Sequence, residues 1–131
     1  MFVPQGDIEV VPEKPEIVRL QIKNGCGIKN AAEDIAQAFM ESSSGVFFDI
    51  IDKGNAETFN YQKTLVIDRK GDSVNAGSYS KAALFIADLL KVKPEQLIIQ
   101  KLSDNLLDIE VTVIVGSDID AVKNKLQSEV K

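Results

Sequence analysis

The segment Asn24-Gly25-Cys26-Gly27 is the most chemically suggestive stretch of the chain, with Lys29 two residues beyond it. Glycines at a strand-to-helix turn let backbone N–H groups approach an anion at the positive end of a helix. The dinucleotide fingerprint requires a third glycine where this chain has Asn30, and no Lys followed by Ser or Thr stands at phosphate-loop spacing. A tight turn needing positive φ, with Gly27 admitting close helix-to-strand packing, is therefore the weightier reading, and an anion or sugar contact the lesser one. Cys26 has no histidine to activate it, only the helix N-terminus and Lys29, so it reads as a small turn residue and not as a nucleophile.

Asp49, Asp52, Asp68, Asp72, Asp104 and Asp108 are the carboxylates from which a hydrolytic pair would be drawn. Glycoside hydrolysis needs two such groups about 5 to 10 Å apart in a cleft. Asp at strand ends more often serves turns and helix caps. No D-x-[DN]-x-[DN]-G loop with a distal Glu is present, so calcium has no recognisable loop. With no His and one Cys, imidazole triads, His-ligated zinc, an internal disulfide and a two-cysteine metal site are all excluded. The expectation is a chain with no catalytic residue, no metal and no cofactor. Asn55, Phe59 and Tyr61 lie in a polar loop over residues 55–62, where aromatic and amide side chains suit a glycan or peptide, or close one edge of the core. Asp68 and Arg69 open a further polar turn.

The elements that must position these residues follow from periodicity. Residues 1–16 carry Pro4, Pro12 and Pro15 with Gly6 and read as a linker or leader ahead of a domain spanning 17–131. Ile17, Val18, Leu20 and Ile22 predict a strand ended by Asn24-Gly25. Ile28, Ala32, Ile35, Ala36, Phe39 and Met40 mark one face of a helix, with Asn30 and Glu33 spaced as a capping box. Residues 46–51 make a second strand, and Phe47, Phe48 and Phe85 read as core. The plan then repeats: a strand at 64–67, a helix with Tyr79, Ala82, Ala83, Ile86, Ala87 and Leu90 on one face, and a strand at 97–99 after Pro94. A strand over 109–115, apolar on both sides, belongs near the middle of a sheet, and Ile119, Val122 and Leu126 mark a short C-terminal helix. The expected class is α/β, bordering on α+β: two βαβ-like units plus a further strand, one mixed sheet with two long helices packed on it. A duplicated unit should set the turns at 24–29 and 68–75 side by side.

Composition narrows function further. The hydrophobic share of 44%, charged share of 27% and net charge of −5 describe a globular chain, and Arg19 and Arg69 are its only arginines, so the basic footprint of a nucleic-acid binder is missing. No stretch approaches the about 18 apolar residues of a membrane span.

The order Asn24-Gly25-Cys26-Gly27 before an Ala-rich helix, then Gly54-Asn55-Ala56, then Thr64-Leu65-Val66-Ile67-Asp68, then Asp108 to Asp118 around Val111-Thr112-Val113-Ile114-Val115-Gly116 resembles the LytR C-terminal domain family. That small domain follows the catalytic domain of LytR-CpsA-Psr wall-assembly proteins and also occurs alone behind a membrane anchor. The resemblance spans residues 17–119; Cys26 stands where the family more usually has Thr or Ser, which puts in doubt any hydroxyl role there. It implies an extracytoplasmic accessory domain without catalysis, held at the membrane only through an anchor ahead of residue 1, with peptidoglycan, wall glycopolymer or an envelope protein as partner. Loops 24–29, 54–62 and 68–75 are the expected contact region. Two other classes compete: an assembly domain that dimerises through a sheet edge, and a small hydrolase built on an Asp pair.

Overall fold

Alternating apolar residues build β1 (Ile17–Asn24), in which Val18, Leu20 and Ile22 are buried while Arg19, Gln21 and Lys23 face the other way. The computed structural model describes residues 14–42, 44–72 and 78–127. Four further strands follow: β2 (Phe47–Asn55), β3 (Leu65–Asp68), β4 (Leu97–Ile99) and β5 (Val111–Val115). Helices α1 (Ala31–Glu41) and α2 (Lys81–Leu90) join β1 to β2 and β3 to β4, a 3-10 turn (Pro94–Gln96) precedes β4, and α3 (Ile119–Gln127) closes the described chain.

The sheet order is β2-β1-β5-β3-β4. β1 runs parallel to β2 and to β5, β3 runs parallel to β4, and β3 meets β5 antiparallel. The chain is thus an α/β fold with one mixed sheet made of two strand-helix-strand units, and β5, buried along its whole length, lies between them. Because β5 is parallel to β1 and antiparallel to β3, the two units point in opposite directions. Asn24 pairs with Val115 at one end of β5 and Asp68 with Val111 at the other. The turns after β1 and β3 therefore lie at opposite ends of the sheet, which corrects the expectation that they are neighbours. Residues 73–75 of the second turn fall outside the described residues.

Two right-handed units that wind toward opposite edges in opposite directions place their helices on the same face. One apolar cluster accordingly joins Val18, Leu20, Ile22, Phe48, Val66, Val111, Val113 and Val115 of the sheet to Ile35 and Phe39 of α1, Ile86 and Leu90 of α2, and Val122 and Leu126 of α3. Each such buried Leu, Ile, Val or Phe side chain contributes about 1.5–3 kcal/mol relative to exposure. α3 touches both α1 and α2, so it completes the helical layer. The opposite face of the sheet carries no helix of the described chain.

Local differences from the sequence reading have local causes. Asn30 adopts φ 64°, so its side chain makes no capping bond and the Asn30–Glu33 box does not form, since a capping side chain needs extended backbone. Glu33 and Asp34 still favour the start of α1 through the helix dipole. Ile28 lies in the turn before α1 and is exposed, and Met40 is 60% exposed because Ala36 and Phe39 already fill the buried stripe of the last turns. Phe47 is 58% exposed: strand alternation gives the inward position to Phe48, whose ring lies 5.0 Å from that of Phe39.

Candidate functional site

The turn between β1 and α1 is built around the Asn24 side chain. Its Oδ1 accepts hydrogen bonds from the N–H groups of Cys26 (3.1 Å) and Gly27 (2.9 Å), while Nδ2 donates to the Ile28 carbonyl (2.8 Å). Gly27 has φ +78°, the left-handed region that glycine enters without strain. Gly25 is required by close approach instead: a Cβ there would stand 2.6 Å from Ile114 Cγ2 and 2.7 Å from Tyr61 Cδ1. Cys26 is half-buried against the core and Lys29 is exposed. The N–H groups of Cys26 and Gly27 are thus engaged by Asn24.

The loop after β2 folds onto this turn. Ala56 N–H donates to the Asn24 carbonyl (2.9 Å), Tyr61 N–H to the Gly25 carbonyl (3.0 Å), and Ser117 N–H to the Tyr61 carbonyl (2.9 Å). Phe59 lies against Gly27 yet is 51% exposed. Asn24, Gly25, Gly27, Phe59 and Tyr61 are therefore assembled at one end of the sheet, with Asn55 at the end of β2 and Lys29 just before α1.

From that end Tyr61 leads onto the helix-free face of the sheet, where a groove of about 360 Å³ lies between the 56–61 loop and strands β5, β3 and β4. Leu65, Ile67, Ile98 and Ile114 form its apolar floor, and Lys23, Glu57, Arg69 and Gln100 line its sides. Arg69 extends across this face. Its Nε donates to Thr112 Oγ1 (3.0 Å) and its Nη1 to the main-chain and side-chain oxygens of Gln100 (2.8 and 3.2 Å). Thr112 Oγ1 in turn donates to Gln21 Oε1 (2.9 Å), and Gln21 Nε2 to Asp52 Oδ2 (2.8 Å). Every donor in this chain points from the guanidinium, just past the end of β3, across β5 and β1 toward the Asp52 carboxylate on β2.

Asp68, at the other end, is fully buried. Its carboxylate accepts from the N–H groups of Lys70 (3.0 Å), Gly71 (2.9 Å) and Ser80 (2.7 Å) and from Ser80 Oγ (2.8 Å). Ser80 Oγ also caps α2 by accepting from Ala83 N–H (3.2 Å). Asp68 thus ties the turn after β3 to the start of α2, and although adjacent in sequence to Arg69 it faces the helical side. The remaining charged cluster is more exposed: Arg19 pairs with Asp49 (3.0 Å), and Asp108 with Lys70. Among the described residues no group of three or more Cys, Asp or Glu side chains is gathered as metal ligands require, and no helix is long and apolar enough to cross a membrane.

Sequence reasoning singled out Arg69 and Tyr61 but not Lys23, Ile98, Gln100 or Thr112, which share the helix-free face with them. Lys23 and Thr112 carry the one available signal, since each alternates with residues of the apolar cluster along its strand. No family model, no curated protein and no solved structure matches the chain.

Proposed function

We propose that this chain is a non-catalytic accessory domain of the bacterial cell envelope that binds wall polymer or a partner protein through loops 24–29 and 54–62 and the groove beside them. The observation that supports binding is the fastening of the 54–62 loop to the first turn by main-chain hydrogen bonds, which holds Phe59 half-exposed and sets Tyr61 at the mouth of the groove. Aromatic side chains fixed on a rigid scaffold bind sugars and peptides with little ordering cost. The envelope location rests on the resemblance of the sequence motifs to the LytR C-terminal domain family.

Retention on purified peptidoglycan and on purified wall glycopolymer, with salt varied, tests the reading. Retention is expected to exceed that of a control protein and to fall in Phe59→Ala with the melting temperature unchanged. No retention on either polymer at any salt refutes the polymer half and leaves a protein as the only partner of the reading. One feature favours a second reading, assembly through a sheet edge: β2 is a nine-residue outer strand paired with β1 alone among the described residues. Sedimentation across a wide concentration range separates the two, because edge pairing makes the mass rise with concentration.

A further inference from the structure

Arg69 is 7% exposed, and among the described residues no carboxylate lies within ion-pair distance of it. A buried cation without a counter-charge is costly, and burial pushes its pKa below the ordinary arginine value although arginine remains charged near neutrality. Thr112 and Gln100 occupy Nε and Nη1, which leaves Nη2 without a partner among the described residues. All fully enclosed side-chain nitrogens and oxygens of the described chain are hydrogen-bonded, so Nη2 keeps some accessible surface, and Arg69 is one of the residues that line the groove.

We infer that this groove receives the carboxylate of an organic acid with an apolar body, the acid on Arg69 Nη2 and the body on Leu65, Ile67, Ile98 and Ile114. The inference deepens the binding reading above and rests on it for the groove's role as a contact region. A carboxylate fits better than a phosphate because Arg69 offers one free nitrogen and the groove's other cation, Lys23, shares the groove with Glu57, so its net charge is matched by a single negative charge. A phosphate monoester carries close to two charges and three acceptor oxygens, some of which would face the apolar floor unpaired. Such an acid is presented by the C-terminal residue of a peptide or by a short fatty acid.

The test is a titration of the whole chain followed by amide NMR, with N-acetyl-leucine, hexanoate, N-acetyl-leucinamide and inorganic phosphate as probes. The acids are expected to shift the Arg69, Ile98, Gln100 and Ile114 signals saturably, and the neutral amide to bind at least about tenfold more weakly through loss of a charge-assisted hydrogen bond. Tighter N-acetyl-leucine assigns the peptide end as the source, tighter hexanoate the fatty acid. Ile98→Glu, at a half-open position of an outer strand, sets a tethered carboxylate beside Arg69 and should abolish acid binding without unfolding the protein. Equal shifts by acid and amide, tighter binding of phosphate, or no shift at these residues overturns the inference. Retention on wall polymer by a groove indifferent to acids would leave the binding reading standing and remove only the carboxylate site; acid binding without retention would do the reverse.

Discussion

Replacing Asp68 tests whether one buried carboxylate holds the β3–α2 connection together. Asp68→Ala removes the acceptor for three main-chain N–H groups and one hydroxyl. The bond from Gly71 N–H is buried, so that donor loses its partner with no access to water, at about 1–3 kcal/mol. The other three are partly buried and recover water in part, so about 0.5–1 kcal/mol each is a fair estimate. Relief from burying a charge offsets some of this. The net loss should be about 2–5 kcal/mol, a large fraction of the about 5–15 kcal/mol typical of a domain. Asp68→Asn keeps the oxygen that accepts from Lys70, Gly71 and Ser80 Oγ but turns an amide donor toward Ser80 N–H, so it should cost less than alanine and more than nothing. Urea unfolding followed by circular dichroism reads both variants as a shift in midpoint at constant slope. An alanine loss below about 1 kcal/mol, or an asparagine variant as stable as the parent, would refute the reasoning.

Gly27→Ala should cost on the order of 1 kcal/mol from positive φ alone, while Lys29→Ala, at an exposed position, should leave the melting temperature unchanged; a marked binding loss in the stable Lys29 variant would show that the turn is a contact site and not scaffold only. Thr112→Val, nearly isosteric, should cost about 1–3 kcal/mol by stripping acceptor and donor from the Arg69 and Gln21 side chains, read by thermal unfolding. Lys70 foremost, by hydrogen bond and charge, with a smaller contribution from Arg19, holds the Asp108 carboxyl below the ordinary carboxylate range. A carboxyl lowered in the folded state stabilises above its unfolded pKa and loses that stabilisation as pH falls through the folded value, so Asp108→Asn should flatten the acid side of the stability profile, most visibly at low salt.

The succession of strands and helices is legible because each element carries its own period: two in Val18, Leu20 and Ile22, and three or four in Ala32, Ile35, Ala36 and Phe39. Even α3 is marked by Ile119, Val122 and Leu126, all of them buried. Direction is a different matter. Nothing near residues 65–68 says whether β3 runs with β1 or against it; β5 decides, some 45 residues later, by pairing with both. That is why the expectation of adjoining turns fails. Phe47 and Met40 mislead for a simpler reason, since apolar character alone does not reveal which side of a strand or helix an end residue takes. The setting of Arg69 is hidden from sequence because Thr112 and Gln100, its partners, are distant along the chain, and the lack of a counter-ion among the described residues leaves no local pattern.

The central place of β5 also bears on how the chain acquires its structure. Until residues 111–115 are available, β1 with β2 and β3 with β4 can form only two separate parallel pairs, and each pair then exposes the inner side of β1 or β3 as a bare edge. The bonds that join the halves close long loops; Gln21 and Thr112 are 91 residues apart. Closure over such separations slows folding and leaves intermediates prone to associate. During synthesis the domain must therefore wait for nearly its whole length before its two halves become one sheet, and a fragment ending ahead of Val111 should aggregate through the edges that β5 otherwise covers.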